Sequence, residues 1–116
     1  MSKVKITVGG EMEQEASRQF IDAWHRAERG ETFQERHLAF ENWDTLARVL
    51  TGKRMELLRY VRRNNVTSVR ALAKALKRDY SNVHADVRAL AGAGLLENSR
   101  KGVRADYDTI ETKIAI

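Results

Sequence analysis

Residues 66–104 read VTSVRALAKALKRDYSNVHADVRALAGAGLLENSRKGVR, and their spacing decides the fold. Val69, Leu72, Ala73 and Leu76 fall at i, i+3, i+4 and i+7, the period of one helix face, with Thr67 or Ser68 ahead of them as a cap. Four residues, Lys77-Arg78-Asp79-Tyr80, lead to a second helix that starts near Ser81 and turns Val83, Val87 and Leu90 to one side. Gly92 and Gly94 stop it. Leu95-Leu96-Glu97 then reads as a strand, Asn98 to Gly102 as a turn, and Val103-Arg104-Ala105 as the returning strand.

Upstream, Met55, Leu58 and Val61, with Leu57 and Tyr60 beside them, form the apolar face of a helix ending near Asn64-Asn65. Three short helices followed by a basic hairpin is the order of a winged helix-turn-helix. The expected fold is therefore α+β, mainly α, with a winged helix-turn-helix over residues 42–116 and a strand–helix extension over residues 1–41. In the extension, Val4, Ile6 and Val8 alternate with Lys3, Lys5 and Thr7 as a half-buried strand that Gly9-Gly10 ends. From Glu11 to Arg29, Met12, Ala16, Phe20, Ala23, Trp24 and Ala27 make a helical stripe, with Gly30 at its C-cap. His37 to Phe40 reads as a second short strand, and Asn42 or Asp44 as the cap of a helix carrying Trp43, Leu46, Ala47 and Leu50. Alternation of Ile110, Thr112, Ile114 and Ile116 predicts one more strand.

Charge is partitioned along the chain. Residues 1–52 hold seven basic and nine acidic side chains, residues 53–104 thirteen and four, and the last twelve residues one and three. A block this basic repels itself unless a counter-charged partner relieves it. Nucleic acid is the usual partner, because neutralising its phosphates releases condensed counterions. On the helix wheel the side opposite Val83, Val87 and Leu90 carries Ser81, Ala85, Arg88 and Ala89, flanked by Asn82 and His84. Small residues allow close approach to a groove, while Arg88 suits guanine and Asn82 suits adenine. The bland reading makes Asn82 a cap and pairs Arg88 with Asp86 on a solvated face. Arg100, Lys101 and Arg104 of the hairpin suit phosphate or a minor groove, or else an ordinary charged turn. Arg54, Arg59, Arg62 and Arg63 are expected to serve solubility or to pair with the acidic N-terminal part.

The strings LTGKRMELL (50–58) and RDYSNVHADV (78–87), followed by Gly94-Leu95-Leu96, resemble small prokaryotic winged-helix proteins described as MarR-like predicted transcriptional regulators. Some of that group resemble antitoxins. The likeness covers roughly residues 40–110. It implies that the turn and the helix after it contact DNA, which here means Arg78, Tyr80, Ser81, Asn82, His84 and Arg88. Ser68 and Arg70, at the start of the preceding helix, join the expected contacts. The turn departs from common helix-turn-helix patterns in lacking a glycine.

Catalysis is not expected. His25, His37 and His84 fall in no metal-ligand spacing, there is no glycine-rich phosphate loop, and capping or surface pairing accounts for Asp79 and Asp86. Neither cofactor nor metal is expected. The start, MSKVKITVGG, lacks the apolar core of a signal peptide and no run reaches the ~18 apolar residues of a membrane span, so a cytoplasmic protein is expected. There is no cysteine to form a disulfide. The expected function is sequence-specific binding of double-stranded DNA by a transcriptional regulator, a repressor acting as a homodimer. Symmetric operators call for two-fold dimers, and Val4, Ile6, Phe20 and Trp24 are the residues expected to meet the partner chain. Two alternatives stay open: an antitoxin that binds its toxin through the acidic N-terminal part, and an interaction module that binds no DNA.

Overall fold

The computed structural model describes residues 2–9, 24 and 34–116. The protein is an α+β chain, with four helices and five strands among the described residues, Trp24 apart. It divides into two compact units. Unit 1 comprises residues 1–46 and 107–116, and unit 2 residues 47–106. Among the described residues no helix is long and apolar enough to cross a membrane.

Unit 1 is built on a three-stranded sheet of β1 (Ser2–Val8), β2 (Gln34–Phe40) and β5 (Thr109–Ile114), in the order β2-β1-β5. Both pairings are parallel, with Val4 beside Arg36 and Ile110, Ile6 beside Leu38 and Thr112, and Val8 beside Phe40 and Ile114. A central strand flanked on both sides should be apolar, and Val4, Ile6 and Val8 are all but fully buried. Thr7, on the other face, is buried too. Charged side chains share that face: Lys5 meets Glu35 at 3.1 Å, His37 lies 3.4 Å from the same carboxylate, and Lys3 reaches Glu111 at 3.5 Å. Tyr107 leads into β5 buried, with the Arg36 guanidinium 5.9 Å from its ring centre. Burial pushes its phenol up to about 12, against the smaller opposing pull of the Arg36 charge.

These observations revise three expectations. The C-terminal strand pairs with β1, so it belongs with the N-terminal strands rather than with the segment beginning at residue 42. Val4 and Ile6, expected at a partner chain, lie in this chain's own core, and both edges of β1 are taken. The second strand extends back to Gln34. Trp24 is helical and exposed, whereas the rest of the expected helix over 11–29, Phe20 included, lies outside the described residues.

The first helix, α1 (Trp43–Val49), begins where Asn42 Oδ1 accepts from the Thr45 backbone N–H and hydroxyl, each at 3.0 Å. Asn42 rather than Asp44 is thus the cap. In unit 2, α2 (Gly52–Arg63) is capped by Thr51, buries Leu57, Leu58 and Val61, and ends at Asn64, whose amide donates to the Tyr60 carbonyl at 2.9 Å. The next helix, α3 (Val69–Leu76), starts at Ser68, whose hydroxyl accepts from Ala71 N–H, and buries Val69, Leu72 and Ala73. The longest, α4 (Tyr80–Gly92), buries Val83, Val87 and Leu90. A hairpin of β3 (Glu97–Ser99) and β4 (Gly102–Arg104) follows, entered through buried Leu95 and Leu96. An isolated antiparallel bridge joins Val103 to Val66, tying the hairpin to the segment between α2 and α3. At that crossing Gly102 has φ +117, and a Cβ there would stand 2.1 Å from the Val66 carbonyl oxygen.

Candidate nucleic-acid interface

The missing turn glycine is explained by Lys77. Its φ of 55° and ψ of 46° place it in the left-handed region that glycine normally fills at a helix end. Its N–H donates to the Lys74 carbonyl at 3.2 Å, and that of Arg78 to Ala73 at 3.0 Å, so two of the four orphan carbonyls of α3 are satisfied as the chain turns into α4.

Asp86 fixes α4 from one flank. Its Oδ1 accepts from Arg54 Nε at 3.0 Å and its Oδ2 from Arg78 Nη2 at 2.8 Å, and all three side chains are largely shielded. Arg54 also donates to the Arg48 and Val49 carbonyls. One carboxylate therefore joins the start of α2, the turn before α4 and α4 itself. This changes the part played by Arg78, expected at DNA: its guanidinium is committed to Asp86. Arg54 likewise pairs within unit 2 rather than with the acidic N-terminal part. Sequence reasoning left Asp86 as a surface residue. Its wheel position about 40° from Leu90, at the rim of the buried face, was the available signal.

With Asp86 so occupied, Arg88 is exposed and has no hydrogen-bond or ion-pair partner among the described residues. Ser81, Asn82 and Ala85 are exposed beside it. Asp79 holds the cap position of α4 without a side-chain hydrogen bond, and Ser81 lies within the first turn. The N–H groups of that turn are left for an outside acceptor. At the same end, the Arg70 guanidinium stands 4.9 Å from the centre of the exposed Tyr80 ring, and His84 one turn later lies 5.7 Å from it, centroid to centroid. The stack pre-orders an arginine beside the helix terminus. Ser68 is exposed but engaged as the α3 cap. Arg100, Lys101 and Arg104 are exposed on the hairpin, where the Lys101 N–H is held by Ser99 Oγ at 3.2 Å. Among the described residues, no group of three or more His, Asp or Glu is placed to hold a metal.

Residues 49–112, more than half of the chain, match the family model HVO_A0114. The chain belongs to the HVO_A0114 family. The stretch that matches the HVO_A0114 model takes in α2, α3, α4, the hairpin and β5 as far as Thr112. No curated protein and no solved structure matches the chain.

Proposed function

We propose that unit 2 is a winged helix-turn-helix that binds double-stranded DNA, with α4 in the major groove and the β3–β4 hairpin as its wing, and that the protein is a transcriptional regulator. The observation carrying this reading is the outer face of α4. Ser81, Asn82, Ala85 and Arg88 are exposed, and the helix's one carboxylate is neutralised on the other flank. An acid facing phosphates would oppose docking; here two arginines neutralise it. Support also comes from the helix–turn–helix–hairpin order, the Val66–Val103 bridge, and the resemblance of residues 50–58 and 78–87 to MarR-like regulators.

Arg88 and Asn82 read base edges. The first-turn N–H groups of α4, with Arg70 held over Tyr80, grip a phosphate, and Arg100, Lys101 and Arg104 hold the flanking backbone. The test is selection of duplexes from a random pool, followed by affinity at two salt concentrations. Affinity should fall steeply with salt, and Arg88→Ala should lose about 1–3 kcal/mol at one base position and relax preference there. Absence of salt-dependent binding to any duplex would favour an interaction module and sink the proposal.

A further inference from the structure

Among the described residues no strand covers the outer edge of β5. Thr109, Glu111, Thr112, Lys113 and Ile114 are exposed, and β5 ends the sheet order among the described residues. Val8 O accepts from Ala115 N–H, one residue beyond the partner Ile114 in the register. Carried back along a parallel ladder, this parity turns the peptide groups of Thr109, Glu111 and Lys113 toward β1 and those of Ile110, Thr112 and Ile114 outward. An edge of unpaired N–H and C=O groups is a template for another strand. The usual deterrent of an edge proline is absent, since the chain contains none.

The sequence of this edge complements itself. We infer that β5 pairs antiparallel with β5 of a second copy of this chain, centred on Thr112, joining the two sheets into one of six strands. In that register Thr112 faces Thr112 once, on the two-fold axis, while Ile110 faces Ile114 and Glu111 faces Lys113, each of these pairs occurring twice about it. The outward-facing peptide groups meet as hydrogen-bonded pairs at Ile110, Thr112 and Ile114, as the parity requires. Neighbouring symmetric registers are penalised: centring on Glu111 sets two carboxylates opposite each other, and centring on Lys113 sets two ammonium groups opposite each other. The charge pattern thus selects the register, and the isoleucines supply apolar contact on the other face. This contact replaces Val4 and Ile6 as the route to a dimer, and it stands whether or not unit 2 binds DNA.

The experiment uses the full chain. Wild type should sediment at twice 13.3 kDa. Thr112→Cys places one thiol in a chain without cysteine, at a pair with Cα atoms about 5.5 Å apart, so mild oxidation should give a covalent dimer. Lys113→Glu sets carboxylates against each other twice and should raise the dimer dissociation constant about tenfold. Adding Glu111→Lys to it should restore dimerisation, which separates lost pairing from misfolding. A monomeric wild type, a dimer that Thr112→Cys fails to cross-link, or a double variant no tighter than Lys113→Glu overturns the inference.

Discussion

Asp86 illustrates how one side chain sets the orientation of a helix. Two guanidiniums converge on its carboxylate from α2 and from the turn. Asp86→Ala leaves both cations part-buried without an acceptor, and should cost about 2–3 kcal/mol in urea unfolding. An unchanged midpoint would mean that the arginines find water at no cost. Tyr107 offers a pH probe in unit 1. Its folded value, about 12, lies above the ordinary 10 of a tyrosine, so the fold favours the neutral phenol. The associated stability is fully present below pH 10 and is lost as pH rises from there through 12. At about 1.4 kcal/mol per unit it amounts to roughly 2–3 kcal/mol. Tyr107→Phe should therefore flatten the alkaline fall in stability, and parallel pH profiles for the two proteins would refute the assignment.

At the scale of elements, two backbone positions separate a tolerated strain from an obligatory glycine. Lys77 holds a left-handed conformation that costs an L-residue about 1–2 kcal/mol. Lys77→Gly should raise stability by up to about 1 kcal/mol, after the greater chain entropy of glycine is deducted. Gly102 is the reverse case, since any Cβ collides with the Val66 carbonyl. Gly102→Ala should lose at least about 2 kcal/mol and loosen the hairpin, seen as faster amide exchange at Val103, whose N–H donates to Val66. The helices of unit 2 were legible from period and caps because their apolar residues are contributed locally: Val69, Leu72 and Ala73, then Val83, Val87 and Leu90. Strand partners were not legible. Alternation in Val4, Ile6 and Val8 specifies a strand but not its neighbours, and pairing with residues 109–114 spans nearly the whole chain. Within the candidate site, the exposure of Asn82 and Arg88 followed from the wheel, whereas the capture of Arg78 by Asp86 depends on tertiary geometry that spacing does not encode.

For the molecule as a whole, charge follows the division into units. Unit 2 holds fourteen basic and five acidic side chains, and of those cations only Arg54 and Arg78 are part-buried. Binding to mixed-sequence duplex should show a negative slope of log K against log salt, and Lys101→Ala should lower that slope by about one while weakening all sequences alike. Equal slopes for the two proteins would place Lys101 outside the interface. The parallel pairing of β1 with β5 also bears on synthesis. β1 leaves the ribosome ahead of both its neighbours and lies at the centre of its sheet, yet one of the two is not made until residue 114. Unit 2, whose contacts are local by comparison, is complete once residue 106 has emerged and can fold while β1 still has a bare edge. β1 thus waits for β5 to complete its set of neighbours, and its exposure to mispairing lasts as long as translation of the segment inserted between β2 and β5.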